Sequence, residues 1–304
     1  MEIKKELESI VKRGDIQENV ALSSLTTFRV GGPARYVVYP ADEEELAGLV
    51  RFLRENGLAY FLLGRGSNLL AGDAGYEGVI ICLKKYFQRI EADSSSCTVR
   101  AGAGALLSAV SSAALSEGLT GLEFASGIPG TVGGGLFMNA GAYGGELKDV
   151  VTSVRAMTPE GDIVEIPAEE LELGHRRSRF MRTGEVILSC EIRLEKGSRD
   201  AIKALMDDLN ARRRDKQPLE YPSAGSTFKR PEGSFASKLI DEAGLKGLTV
   251  GGAQVSEKHA GFVINTGNAT AEDIITLCGL IRERVKEYSG VELELEVQLL
   301  GDFA

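Results

Sequence analysis

The chain has 304 residues, with 35 basic and 44 acidic side chains and a formal net charge of −9. This length exceeds the common single-domain size and suggests two or three domains. The acidic balance argues against a nucleic-acid-binding surface, so an anionic ligand would have to be bound by local basic clusters.

The N-terminal residues lack the apolar core and cleavage site of a secretory signal. No segment reaches the about 20 apolar residues that cross a bilayer, so we expect a soluble cytoplasmic protein with no membrane partner. The oligomeric state is left open, and a monomer is compatible with the sequence. The cysteines are far apart and only two histidines accompany them, which predicts reduced structural thiols and no metal site. They are Cys82, Cys97, Cys190 and Cys278.

The first third of the chain predicts a helix followed by two buried strands. Asp42 and Glu45 resemble a capping box, and apolar residues repeat at helical spacing from there to Gly57. Short apolar runs at residues 60–63 and 79–83 indicate buried strands, the second of which closes the first subdomain.

The middle third opens with a strand near residues 97–99 and an alanine-rich helix that ends at Gly118. From residue 118 to 145 the glycines are too dense for long regular elements, but interleaved apolar residues favour a functional loop over a linker. Strands are predicted again at 150–156, 163–166 and 186–193.

The last third predicts a helix over residues 200–214 and a capped helix over 270–288. Apolar residues and glutamates then alternate from 291 to 300, which predicts a strand with one acidic face.

The segment from Gly64 to Asn68 follows directly after a predicted strand. Its glycines would let successive backbone N–H groups face a diphosphate, and Ser67 and Asn68 add side-chain donors. On spacing alone, an ordinary tight turn explains the segment equally well.

A second glycine-rich segment spans residues 127–135 and continues through 139–144. Bare backbone at this density can lie against a planar ring system and a pyrophosphate. Neither segment matches the Gly-x-Gly-x-x-Gly fingerprint between a strand and a helix, so a Rossmann domain is not supported.

The two glycine-rich segments resemble the FAD-binding loops of the vanillyl-alcohol-oxidase/PCMH-type fold. Six blocks between Thr27 and Gly301 also follow the order found in the UDP-N-acetylenolpyruvoylglucosamine reductase family. These blocks are residues 63–68, 128–130, 139–144, 224–229, 251–253 and 296–297. An ordered set is far more specific than any single block.

The resemblance implies an α+β protein with two FAD-binding subdomains, at residues 1–85 and 86–197, and an α+β substrate domain at 198–304. It implies non-covalent FAD, NADPH as reductant, and reduction of UDP-N-acetylglucosamine enolpyruvate to UDP-N-acetylmuramate for peptidoglycan. The FAD residues it assigns are Gly64, Arg65, Gly66, Ser67, Asn68, Gly127, Ile128, Pro129, Gly130, Gly133, Gly134, Asn139, Ala140, Gly141 and Gly144.

By the same resemblance, Ser226 is the proton donor and Arg176 the catalytic arginine. A serine hydroxyl is a weak acid, so this role needs a positioned hydrogen-bond network and a strongly basic enolate. Without the resemblance, Ser226 would be equally well explained as a turn residue. His175 stands where the family has tyrosine, and Arg177 makes a slip of one residue conceivable.

Glu296 is the third catalytic residue that the resemblance implies. Glu292 and Glu294 share its predicted strand face, and such a row usually faces solvent. Glu296 is selected because it precedes valine and lies five residues before Gly301, as in the family.

Basic and polar side chains are the predicted partners of the anionic substrate. The resemblance assigns Lys216 and His259, although His259 is explained equally well as an exposed loop residue. The arginines at 212–214 are candidates too, but a solvated helix end favoured by the helix dipole explains them better. The predicted substrate residues are Lys216, Lys229, Arg230 and His259.

Residues 180–200 are short and contain no tyrosine, so the chain resembles the type that lacks an extra substrate-covering loop. Two other functions remain open at this point. A flavin oxidase on the same fold would produce hydrogen peroxide, and a nucleotide-sugar-binding module would lack catalysis. The joint presence of Arg176, Ser226 and Glu296 favours the reductase.

Overall fold

A computed structural model describes residues 3–303, which form eight α-helices, four short 3₁₀ helices and eighteen strands. The helices are α1 (Ile3–Ile10), α2 (Glu43–Glu55), α3 (Leu107–Ser116), α4 (Val132–Phe137), α5 (Phe180–Thr183), α6 (Arg199–Lys216), α7 (Ala236–Glu242) and α8 (Ala271–Ser289). The strands are β1 (Asp15–Ala21), β2 (Pro33–Tyr39), β3 (Tyr60–Leu63), β4 (Leu69–Ala71), β5 (Tyr76–Cys82), β6 (Ile90–Asp93), β7 (Thr98–Gly102), β8 (Leu119–Thr120), β9 (Gly141–Ala142), β10 (Gly145–Glu146), β11 (Val151–Met157), β12 (Ile163–Pro167), β13 (Val186–Arg193), β14 (Glu195–Lys196), β15 (Thr249–Val250), β16 (Ala253–Val255), β17 (Val263–Asn265) and β18 (Gln298–Leu300). None of the helices within 3–303 combines the length and apolarity needed to span a bilayer.

Helix α2 begins where the sequence predicts, because the Asp42 side chain accepts hydrogen bonds from the N–H groups of Glu44 and Glu45. The second half of the predicted capping box is wrong. The buried Glu45 carboxylate accepts instead from the N–H groups of Lys12, Arg13, Gly14 and Ala41. Glu45 therefore holds the turn after α1 against the start of α2.

The largest sheet has the strand order β12-β11-β13-β7-β6, and its four strand pairs are all antiparallel. Val99, Val154 and Ile192 are fully buried on it, so three of its strands contribute side chains to the core. A second sheet has the order β1-β2-β5-β3, in which β3 and β5 run parallel.

The last third of the chain builds a second apolar core from α7, α8 and the sheet β15-β16-β17, and Phe28, Val30 and Leu70 from the first third pack into it. Thr270 caps α8 as predicted, and its side chain accepts from the N–H of Asp273. The predicted strand over 291–300 is wrong in extent. Its regular part is only β18, which pairs in parallel with β4, while Leu295 forms an isolated antiparallel bridge with Phe228.

Contacts between residues divide the chain into two compact units. The first comprises Met1–Gln17, Val37–Arg65 and Gly78–Arg212, and the second comprises Glu18–Tyr36, Gly66–Glu77 and Arg213–Ala304. The sequence-based division into three domains stays a prediction.

Candidate active site

The loop before β4 offers backbone donors to a ligand. Within residues 3–303, the N–H groups of Gly66, Ser67 and Asn68 donate to no acceptor. Gly66 has a φ of +66°, and a Cβ there would lie 2.5 Å from the carbonyl oxygen of Leu25. A side chain is excluded and consecutive N–H groups stay available, which fits the diphosphate of a dinucleotide.

The second glycine-rich segment packs directly against Gly64. A Cβ at Gly64 would lie 2.6 Å from Oγ1 of Thr131, the side chain that caps α4. Most N–H groups here are used internally, since Val132 and Gly133 donate to the carbonyls of Ala105 and Ala103. This segment offers a surface without side chains more than it offers donors, which fits a ring system.

Gly134 and Gly144 are exposed glycines of this segment, at which the backbone is open to solvent. A Cβ at Gly134 would meet only Thr131 Oγ1 at 3.5 Å, and a Cβ at Gly144 would meet nothing within 4 Å. The first glycine-rich segment therefore fits the diphosphate that the sequence predicts for it. The second fits the predicted ring system.

Asn139 connects the second segment to the turn that carries Arg176. Its amide donates to the carboxylate of Glu146 and to the carbonyl of Gly174, and its oxygen accepts from the N–H of Lys148. Ser178 donates to the carbonyl of Phe137 from the other side of the turn. The side chain of Asn139 is buried and committed to this network, so its contact with FAD stays a prediction.

Arg176 lies at the tip of a tight turn closed by two hydrogen bonds between Gly174 and Arg177. Its φ of +51° is rare for a residue with a side chain. Such backbone strain is often found at functional sites, where the surrounding contacts maintain it. The Nε atom of Arg176 is buried, whereas the Arg177 side chain is 69% exposed and pairs with Glu172.

The backbone on both sides of Ser226 is fixed by hydrogen bonds. Thr227 donates from its N–H to the carbonyl of Gly261 and accepts at Oγ1 from the N–H of Val263. The Ser223 carbonyl accepts from Oγ1 of Thr27 at 2.6 Å. Ser226 itself is exposed, so an anchored backbone presents an accessible hydroxyl.

Glu296 lies beside this segment, because its N–H donates to the carbonyl of Thr227 at 2.9 Å. Its neighbours have other roles. Glu294 is exposed and pairs with Lys229, while Glu292 pairs with Arg282 and Lys286. Glu296 is half-buried, so burial distinguishes it from the two glutamates that the sequence pattern could not separate from it.

The predicted substrate-binding cations have different surroundings. Lys216 is exposed and forms no ion pair within residues 3–303, whereas Lys229 pairs with Glu294 at 2.9 Å. The guanidinium of Arg230 lies 4.0 Å from the ring centroid of Phe235, in cation–π contact.

His259 lines a cleft of about 680 Å³ in the second unit. Its Nδ1 accepts from the N–H of Gly261, and its ring packs edge-on against Phe262. Burial lowers the pKa of His259, so the ring is neutral and its Nε2 is the donor. The lining residues are Phe235, Ser237, Lys238, Asp241, Glu242, Lys246, Lys258, His259 and Ala260.

The cysteines and acidic residues form no metal centre in the described part of the chain. Burial raises the pKa of Cys82 to about 11 and the pKa values of Cys190 and Cys278 to about 12. These three thiols are protonated and enclosed, and Cys97 is half-buried.

Two residues of the candidate site, Phe235 and Thr27, were not predicted from the sequence. Phe235 is 52% exposed beside the cleft, and Thr27 contacts both the diphosphate-binding loop and the Ser226 segment. An aromatic residue in a turn rich in glycine and serine could have indicated Phe235. Nothing in the sequence near Thr27 indicates its contacts, because its partners are 39 and 196 residues away.

Comparisons with known proteins identify the family. Residues 34–167 match the family described as FAD binding domain, and residues 217–300 match the C-terminal domain of UDP-N-acetylenolpyruvoylglucosamine reductase. The chain is 48% identical over 302 residues to the UDP-N-acetylenolpyruvoylglucosamine reductase of Clostridium novyi (strain NT), covering 99% of this chain and 97% of the relative. It is 49% identical to that of Clostridioides difficile (strain 630), covering 97% of each.

A solved structure shows the same fold. The crystal structure of the reductase from Thermus caldophilus superimposes with a TM-score of 0.80 at 36% identity, covering 95% of this chain and 99% of that one. The predicted α+β fold with an FAD-binding part and a C-terminal substrate domain is confirmed.

Proposed function

The chain belongs to the UDP-N-acetylenolpyruvoylglucosamine reductase family, and on that premise we propose how its own residues carry out the reaction. It is an FAD-dependent oxidoreductase of peptidoglycan precursor synthesis. It reduces UDP-N-acetylglucosamine enolpyruvate to UDP-N-acetylmuramate with NADPH as reductant. We place this reaction in the cytoplasm. The names of the relatives favour a reductase over a flavin oxidase or a non-catalytic binding module.

Bound FAD supplies a hydride carrier between NADPH and the enolpyruvyl ether. The N–H groups of Gly66, Ser67 and Asn68 would hold its diphosphate, and the open backbone at Gly134 or Gly144 would leave room for a ring. No side chain there has to ionise for FAD to bind.

The substrate gains negative charge when a hydride reaches its double bond, because an enolate forms next to the carboxylate. Arg176 stabilises this charge, since a cation that is already in position is worth more in a partly buried site than in water. The turn around Arg176 is held by Asn139 and Ser178, which fixes the backbone that carries the guanidinium.

Ser226 then gives its proton to the carbon of the enolate, and Glu296 orients the intermediate beside it. The observation that carries this proposal is the hydrogen bond from the Glu296 N–H to the Thr227 carbonyl, next to an exposed Ser226. The enolate must be a strong base, because the hydroxyl is a weak acid.

The cleft lined by His259 and Phe235 is the proposed site for the nucleotide part of the substrate. His259 donates from Nε2, while Lys216 and Arg230 bind the diphosphate. Lys229 is the weaker candidate of the predicted cations, because Glu294 already neutralises it.

Separate half-reactions test the role of Ser226. The enzyme is reduced anaerobically with NADPH and then mixed with UDP-N-acetylglucosamine enolpyruvate. Ser226→Ala should keep the rate of flavin reduction and slow reoxidation by at least about 100-fold, in the range for loss of a general acid.

Ser289→Ala is the matched control, because that serine ends α8 and bonds only within its own helix end. Equal losses in both half-reactions of Ser226→Ala would show a structural role and overturn the assignment.

A further inference from the structure

Thr27 joins the diphosphate-binding loop to the segment that carries Ser226. Its Oγ1 donates to the carbonyl of Ser223 at 2.6 Å and lies 3.4 Å from the carbonyl of Gly66. Its N–H donates to the same Gly66 carbonyl at 3.1 Å. One threonine therefore fixes the first residue of the loop and the backbone three residues before Ser226.

Asn68 makes the equivalent connection to Glu296. Its side-chain amide donates to the carbonyl of Glu296 at 3.1 Å, and its own carbonyl accepts from the N–H of Gln298 at 3.0 Å. One donor of the Asn68 side-chain amide is thus used within the protein, and its backbone N–H is open to a ligand.

These bonds close a ring within the second unit. The loop from Gly66 to Asn68 holds Glu296, the N–H of Glu296 holds Thr227, and Thr27 connects Ser223 back to Gly66. Each contact fixes backbone, so the ring sets the positions of Ser226 and Glu296 without involving their side chains.

We propose that Thr27 and Asn68 are positioning residues, which couple the diphosphate-binding loop to the pair that delivers the proton. This inference rests on the proposed function, since it assumes that Ser226 and Glu296 act in the second half-reaction. A displacement of about 1 Å at a reacting group can cost about 100-fold in rate, so losing one of these backbone hydrogen bonds is enough to slow proton delivery.

The coupling predicts an asymmetric effect on catalysis. Thr27→Val keeps the shape of the side chain but removes the hydroxyl donor to Ser223. We expect reoxidation by the enolpyruvyl substrate to slow about tenfold, while flavin reduction by NADPH changes less than about twofold. The solvent deuterium isotope effect on reoxidation should rise, because proton delivery becomes more rate-limiting.

Two further variants separate positioning from stability. Thr27→Ser retains the hydroxyl and should restore most of the reoxidation rate. Thr249→Val is the matched control, because that exposed hydroxyl also donates to a backbone carbonyl, at Gly247, but far from this ring in sequence.

Readouts other than turnover complete the test. In the FAD-loaded protein, hydrogen exchange at residues 223–228 should be faster in Thr27→Val than in Thr249→Val, with FAD affinity changed by less than about threefold. In the Ser226→Ala background, Thr27→Val should slow reoxidation no further, as expected for residues that act through one step.

The outcomes distinguish this inference from the proposed function. If Ser226→Ala slows reoxidation and Thr27→Val does not, the positioning role is wrong and the proton donor stands. If Thr27→Val slows both half-reactions equally, or Thr27→Ser fails to restore the rate, Thr27 is merely structural. If Ser226→Ala leaves reoxidation unchanged, the proposed function itself fails.

Discussion

Arg176 and Arg177 are adjacent arginines with opposite surroundings. Arg176 has a left-handed backbone and a buried Nε, while Arg177 is largely exposed and pairs with Glu172. The sequence left a slip of one residue between them conceivable. Because a strained backbone must be maintained by its contacts, the structure favours Arg176 as the residue under functional constraint.

Lysine substitution tests that preference. Arg176→Lys keeps the charge but loses the planar fork that matches a carboxylate, so reoxidation by the substrate should slow by about 10- to 100-fold. Arg177→Lys is the control and should retain the rate within about twofold, because exposed ion pairs contribute little. Stopped-flow reoxidation kinetics of both variants provide the measurement, and the reverse order of effects would move the assignment to Arg177.

At the scale of elements, helix α2 and strand β13 follow from their local patterns. The Asp42 cap fixes the start of α2, and β13 has the predicted bounds of residues 186–193. The segment over 291–300 departs from its pattern, because alternation reports which side is buried and does not supply a pairing partner. Only its last three residues meet another strand, β4.

The difference between local patterns and partners distant in sequence also explains how much of the site could be predicted. The resemblance assigns Ser226, Arg176 and Glu296, whereas local chemistry alone left Ser226 equally well explained as a turn residue and could not choose Glu296 among its neighbours. Thr27 could not be found, since its role consists of hydrogen bonds to distant backbone. The partners of Glu45 could not be predicted either. Its position predicts a capping box at the start of α2, but its carboxylate accepts hydrogen bonds from Arg13 and Gly14, about 30 residues earlier in the chain.

The loop around His259 is an element whose stability should depend on pH. Ser256 Oγ accepts from the N–H groups of Lys258 and His259, and His259 Nδ1 accepts from Gly261, so the fold requires the neutral ring. Burial lowers the pKa of His259 from about 6.5, so the unfolded chain binds more protons below that pH.

Stability from the neutral ring should therefore be fully present above about pH 6.5 and be lost as pH falls towards the lowered folded pKa. Urea unfolding between pH 7.5 and 5 measures this, and His259→Gln should show a shallower loss than the parent chain. His175→Gln is the control, because that histidine is exposed. Parallel curves for the parent chain and His259→Gln would contradict the assignment.

At the scale of the whole molecule, the net charge of this chain is negative, and so are the charges of the ligands that it binds. The net charge is −9, so attraction over long distances cannot account for binding a dinucleotide. Recognition has to come from local groups, and the N–H groups of Gly66, Ser67 and Asn68 supply dipoles that carry no net charge and need no counter-ion. The diphosphate, and not the flavin ring, should then provide most of the stabilisation of the folded protein.

Thermal unfolding of the FAD-free protein with added ligands tests which part of FAD provides the stabilisation. A ligand that binds only the folded state stabilises it by about 2.7 kcal/mol at a free concentration 100 times its dissociation constant. FAD should raise the unfolding midpoint by several degrees, whereas riboflavin has the same ring without phosphates and should raise it much less. ADP, which carries the diphosphate without the flavin, should recover part of the shift. If riboflavin matched FAD and ADP had no effect, the second glycine-rich segment, and not the loop at Gly66–Asn68, would be the main source of cofactor binding.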